Sequence, residues 1–136
     1  MEDMESTSRV FISFALKDVE LRDKLIEQLK QTHPEFSFVT MPEKKSWESA
    51  WKAECQGQVD GCDAAIGIIT TNTMRADGQL WELRCALDSQ MKLLLIGDDV
   101  ICEMSAKKLP ELLRDEDILP WESSTISSFL NRLKKA

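Results

Sequence analysis

The chain has 136 residues, of which 43% are hydrophobic and 30% charged, and its formal net charge at pH 7 is −7. This length fits one domain that buries about two thirds of the surface of its unfolded chain. The excess of acids disfavours nucleic acids and anionic membranes as partners, because both attract basic surfaces. No apolar run approaches the ~20 residues of a membrane-spanning helix, and the polar N-terminus is unlike a signal peptide. We expect a cytoplasmic protein with a flexible tail over residues 1–8 and a single domain over residues 9–136.

The predicted elements alternate between strands and helices along the chain. Short apolar runs rich in β-branched and aromatic residues predict strands over residues 9–14, 36–40, 63–71, 92–97 and 117–121. Amphipathic patterns predict helices over residues 17–32, 46–58 (capped by Ser46), from the end of loop 72–78 to about Gln90, 105–114 and 123–134. Residues 41–46 and 98–104 are predicted as loops.

The predicted strands are uniformly apolar instead of alternating between apolar and polar residues. This pattern is typical of a parallel sheet that helices cover on both faces. We therefore predict an α/β, flavodoxin-like doubly wound fold with five parallel strands in the order 2-1-3-4-5. Ligands of such folds bind beyond the carboxyl ends of the strands, so the loops 14–18, 70–78 and 97–100 are expected to border the binding cleft.

Several known site types are missing from these loops. The first strand–helix junction, SFALKD, contains no glycine, which excludes the dinucleotide-binding fingerprint and the P-loop. The sequence has no GxSxG and no HExxH motif. A response-regulator receiver needs paired acids after strand one and an aspartate at the end of strand three, where this chain has Ser13-Phe14 and Thr70-Thr71.

The chemistry of cysteine and histidine is also restricted. The four cysteines form no CxxC pair, so we expect reduced, mostly buried thiols and no structural metal. The single histidine, His33, precedes a proline at a predicted helix end, where a capping or loop role is favoured over that of a catalytic base.

An ordered set of motifs remains: VFISF at 10–14, DAAIGIIT at 63–70, the Asn72-Thr73 pair, and the Trp81-Glu82 pair at the head of a helix. Together they resemble the TIR-like family of bacterial Thoeris anti-phage defence proteins. The similarity covers about residues 9–100, and the wider Toll/interleukin-1 receptor (TIR) superfamily shares the flavodoxin-like fold.

This resemblance implies an enzyme that cleaves the nicotinamide–ribose bond of NAD+, with NAD+ as substrate and without a cofactor or metal. It implies Glu82 as the catalytic residue, and a cyclic ADP-ribose-type signal as the product in anti-phage defence. The implied partners are other TIR domains, through self-association, a phage-derived trigger and an effector that senses the product. The residues implied to line the substrate pocket are Ser13, Phe14, Asn72, Thr73 and Trp81.

The chain also departs from relatives. Residues 41–51 lack the arginine–aspartate–proline–glycine loop of receptor TIR domains, and Asp18 stands a few residues after the point where many relatives carry an acid. Trp47 and Trp51 are four residues apart in the second predicted helix, where they fit either core packing or a contact between TIR domains.

Glu82 has two interpretations. On a helical wheel, Leu80, Leu83 and Leu87 define the predicted core stripe, and Glu82 falls outside it as a solvated first-turn acid that the helix dipole favours. Such an acid would change folding stability by only about 0.5 kcal/mol when substituted. Alternatively, one carboxylate without a histidine can stabilise the oxocarbenium charge that develops at a glycosidic bond. Two other functions stay open: a non-enzymatic TIR-type self-association module and a nucleoside deoxyribosyltransferase-like enzyme.

Overall fold

The computed structural model describes residues 8–41 and 48–135. Residues 1–7 of the tail predicted over 1–8, the predicted cap Ser46 and the role of Trp47 lie outside the described residues, and Ser8 belongs to the first strand instead of the tail. Within the described ranges, none of the helices combines the length and the apolar character that crossing a membrane requires.

The sheet confirms the predicted topology. Its strands are β1 (Ser8–Ser13), β2 (Phe36–Val39), β3 (Ala64–Ile69), β4 (Lys92–Gly97) and β5 (Ile118–Pro120). All pair in parallel, in the order β2-β1-β3-β4-β5. From β1 the chain first adds β2 on one side and then β3, β4 and β5 on the other. The boundary between β1 and β3 is therefore the switch point, where ligands of doubly wound folds bind.

The described residues form five α-helices: α1 (Val19–Thr32), α2 (Ser49–Asp60), α3 (Asp77–Asp88) and α4 (Asp99–Cys102) connect successive strands, and α5 (Ser123–Lys135) follows β5. The loop predicted over 98–104 is wrong, because α4 forms there with the Asp98 side chain accepting a hydrogen bond from the Ile101 N–H at 3.0 Å. The helix predicted over 105–114 is also wrong. It is two short 3-10 helices, Ala106–Lys108 and Glu111–Leu113, separated at Pro110, which has no N–H to continue a helix.

Alternation along the strands divides the core between two layers. In β1, Val10 and Ile12 pack toward α1 and α5, whereas Phe11 packs toward α2 and α3. Because successive strand residues point to opposite faces, Ser13 shares the face of Phe11 and points toward α3. The alternation in β1 therefore places a polar side chain beneath α3, at the carboxyl end of the strand.

Gly67 in β3 lets α3 approach the sheet closely. A Cβ atom at this position would lie 2.9 Å from Leu95 Cδ2 and 3.0 Å from Leu83 Cδ2, closer than such atoms pack. Leu83, which is 0% exposed, adjoins Glu82 on α3. The missing side chain therefore helps to bring Glu82 to the carboxyl end of β1.

Candidate functional site

Ser13 and Glu82 meet at the carboxyl edge of the sheet. The Ser13 hydroxyl donates a hydrogen bond to Glu82 Oε1 at 2.9 Å, and each residue is 1% exposed. Glutamate is among the residues that are least often fully buried in proteins. The structure thus brings together two residues, 69 positions apart in the chain, that the sequence resemblance assigns to one site.

The prediction that Glu82 is solvated and off the core stripe is wrong. The helix begins at Asp77, so Glu82 stands in its second turn, and its buried residues include Gln79, Glu82, Leu83 and Ala86. These four have the i, i+3, i+4, i+7 spacing of one helix face. A helical wheel assigns the buried face from hydrophobic residues alone. On this face, however, the polar side chains of Gln79 and Glu82 form hydrogen bonds with the strands instead of with water.

Gln79 is the second polar residue of this face and was missed by the sequence reasoning. It is 0% exposed, and its Nε2 donates to the Ile68 carbonyl at 2.8 Å and to the Ser13 carbonyl at 3.3 Å. The pairing of β1 with β3 ends at Ser13 and Gly67, so the amide bridges the two strands just where their ladder stops. Its position three residues before Glu82, on the same helix face, was the available signal.

Asp18 joins the two loops that flank the switch point. Its carboxylate is 6% exposed and accepts hydrogen bonds from Thr70 Oγ1 at 2.5 Å and from Asn72 Nδ2 at 2.8 Å. Thr70 also caps the turn after β3 by accepting from the Asn72 N–H, while Thr73 Oγ1 accepts from the Thr70 N–H, each at 3.0 Å. Thr73 is thus a buried structural group, and Asp18 fixes the spacing of the two loops.

A groove of about 550 Å³ lies between these two loops. One wall is the turn after β1, and the other is the 3-10 turn after β3 together with Ala76. The residues that line the groove are Ala15, Leu16, Lys17, Thr71, Asn72, Met74, Arg75 and Ala76. Of the residues predicted for the pocket, Asn72 lines this groove. Ser13 and Glu82 are not among the lining residues, and Glu82 is covered in this structure.

The rings of Phe14 and Trp81 pack in two different layers of the core. Phe14 is 1% exposed and packs in the layer between the sheet, α1 and α5, with the Arg22 guanidinium 4.7 Å from its ring centroid. The indole of Trp81 packs toward α2, where its Nε1 donates to the Lys52 carbonyl at 3.4 Å and the Lys52 ammonium lies 4.9 Å from the ring centroid. Neither aromatic ring lines the groove at the switch point.

The cysteine thiols and the histidine take structural positions. All four cysteines are free, and three of them, Cys55, Cys62 and Cys85, are buried. Burial raises the pKa of Cys62 and of Cys85 to about 11, which disfavours their thiolates. His33 ends α1, as predicted, and its Nε2 lies 3.1 Å from Ser127 Oγ on α5. Within the described ranges no cluster of three or more potential metal-binding side chains occurs.

Comparison with known proteins gives a likeness among solved structures. No model of a protein family matches the sequence, and no curated protein matches it. Among solved structures, the chain is similar to the TIR domain of the Toll-related receptor TRR-2 from Hydra magnipapillata. The TM-score is 0.62 at 16% sequence identity, over 93% of this chain and 94% of the receptor domain. The five-stranded parallel sheet and its helices therefore have the fold of a TIR domain.

Proposed function

We propose that the chain is a TIR-type enzyme that cleaves the nicotinamide–ribose bond of NAD+, with Glu82 as the catalytic carboxylate. The observation that carries the proposal is the buried carboxylate of Glu82, 2.9 Å from the Ser13 hydroxyl at the carboxyl end of β1. The TIR fold and the ordered motifs from VFISF to Trp81-Glu82 support it.

The chemistry suits a site with a single carboxylate. The bond between ribose C1′ and the nicotinamide nitrogen breaks with its electron pair leaving on nicotinamide, which departs as a neutral molecule without being protonated. The positive charge then develops on the ribose, where a nearby carboxylate stabilises it. Water that adds to C1′ and loses a proton gives ADP-ribose, and attack by the adenine of the same molecule gives a cyclic ADP-ribose-type signal.

Burial of Glu82 sets a requirement on this mechanism. A side chain that is 1% exposed does not reach a substrate unless its cover moves. The proposal therefore includes an opened state in which Glu82 is uncovered. Substrate binding or self-association with other TIR domains produces this state, and in anti-phage defence a phage-derived trigger does so. We expect turnover per enzyme to rise with protein concentration.

The test compares nicotinamide release by the wild type, Glu82→Gln and Ile126→Val over a wide range of protein concentration. Glu82→Gln removes the charge but keeps an oxygen for Ser13, and we expect turnover to fall on the order of 10²–10³-fold. Ile126 on α5, which is 3% exposed in the core, is the stability control, since Ile→Val in a core costs about 1 kcal/mol. Equal turnover by Glu82→Gln and the wild type would refute the catalytic assignment.

A second candidate is a TIR-type self-association module without catalysis. The favouring observation is that Glu82 is covered and is absent from the lining of the switch-point groove. Nicotinamide release, followed beside light scattering, distinguishes the two: a module assembles with rising concentration in the wild type and in Glu82→Gln alike but neither protein releases nicotinamide, whereas the enzyme releases it in the wild type.

A further inference from the structure

The switch-point groove differs in charge from the rest of the chain. The whole sequence has 24 acids against 17 lysines and arginines. Among the described residues that line the groove, by contrast, there are two cations, Lys17 and Arg75, and no acid. Asp18 lies behind the wall, with both carboxylate oxygens accepting hydrogen bonds from Thr70 and Asn72. An anion that entered the groove would therefore meet positive charge from both walls.

The groove also has an apolar side. Leu16 is 57% exposed, although it is a large aliphatic residue. Met74, which is partly buried, lines the opposite wall. Exposed apolar surface of this kind, beside a few convergent polar groups, is typical of small-molecule sites.

The walls are held at a fixed separation. Asp18 belongs to the turn after β1, and its two partners belong to the end of β3 and the loop beyond it. The cations Lys17 and Arg75 are each within three residues of this clamp. Their backbone positions are therefore set before a ligand arrives, which lowers the entropic cost of binding.

We propose that this groove binds the diphosphate part of a nucleotide, with Lys17 and Arg75 contacting the phosphate groups and Leu16 and Met74 contacting the nucleoside. In so far as the nucleotide is NAD+, the inference rests on the proposed function and deepens it. The groove then supplies substrate affinity, while Glu82 acts on the ribose. Glu82 is hydrogen-bonded to Ser13, which precedes the first groove residue, Ala15, by two positions.

The experiment measures binding apart from catalysis. Calorimetry follows the titration of ADP-ribose, AMP, adenosine and inorganic pyrophosphate into Glu82→Gln protein, so that turnover does not interfere. The titrations are then repeated with Glu82→Gln protein that also contains Lys17→Glu, Arg75→Glu or both. The control is Lys107→Glu/Lys108→Glu, which changes two exposed cations that do not line the groove and alters the net charge as much as the double groove variant.

We expect ADP-ribose to bind more tightly than AMP, adenosine or pyrophosphate, and more weakly as salt rises, because exposed charges are screened. Each reversal in the groove should weaken binding about tenfold or more, as loss of a hydrogen bond to a charged group does. The control pair should change affinity less than about threefold, since exposed charges that do not contact the ligand are largely screened.

The following outcomes would overturn the proposal: affinity for ADP-ribose that is unchanged in Lys17→Glu/Arg75→Glu, equal weakening by the control pair, no binding of any probe, or equal affinity for pyrophosphate and ADP-ribose. Failure of the proposed function looks different. A wild type that releases no nicotinamide but binds ADP-ribose in a manner dependent on Lys17 and Arg75 would refute the enzyme and support the site.

Discussion

Removal of the Ser13 hydroxyl tests the contact on which the candidate site depends. Ser13→Ala deletes a donor to Glu82 Oε1 at 2.9 Å, in a place where both residues are 1% exposed. Water does not readily replace the donor there, so the loss should approach the roughly 1.5–3 kcal/mol of a hydrogen bond to a charged group. For a chain of this size, that corresponds to a fall in Tm of about 5–10 °C.

The assay is a double-mutant cycle of Ser13→Ala and Glu82→Gln, measured by urea denaturation. The pair should show a coupling energy of about 1–2 kcal/mol, because each single change alters the same hydrogen bond. Glu82→Gln alone should cost about 1–3 kcal/mol, since its buried amide brings N–H groups that need acceptors. A loss below about 0.5 kcal/mol for Ser13→Ala, with no coupling, would show that the bond does not form.

Two further predictions concern the thiols and Trp81. The free energy of unfolding should fall as pH rises from about 9 to about 11, because the unfolded chain loses thiol protons at the ordinary pKa of 9.0 while Cys62 and Cys85 keep theirs until about 11. A Cys62→Ala/Cys85→Ala variant should show a flatter dependence in pH-resolved urea titrations, and an equally steep one would contradict the assignment. Trp81→Phe should change NAD+ turnover less than about tenfold, since its ring lies against Lys52 and does not line the switch-point groove. A hundredfold loss at unchanged Tm would instead make Trp81 a substrate contact.

The sheet could be predicted from sequence because its signals are local. Each strand is a short apolar run, and β4 has the predicted bounds of residues 92–97. Strand order followed from the alternation of strands and helices and from the uniformly apolar strands, which together indicate a doubly wound fold. The segment 98–114 was mispredicted because side-chain capping by Asp98 and the missing N–H of Pro110 decided its short helices, and neither effect appears in hydrophobic periodicity.

The site was harder to predict because its polar residues are buried. Periodicity treats Gln79 and Glu82 as solvent-facing, yet both lie against the sheet, where Ser13 and the strand carbonyls supply hydrogen bonds. The partnership of Ser13 with Glu82 could be inferred by resemblance. The clamp formed by Asp18 could not, since its partners follow it by more than 50 residues and depend on the packing of β1 beside β3.

The most direct test of the central claim is a crystal structure of the Glu82→Gln variant with NAD+ bound. The account predicts that C1′ of the nicotinamide ribose lies in contact with the side chain at position 82, with the diphosphate between Lys17 and Arg75. NAD+ bound with this ribose far from position 82, and that side chain still packed against Ser13, would contradict the account.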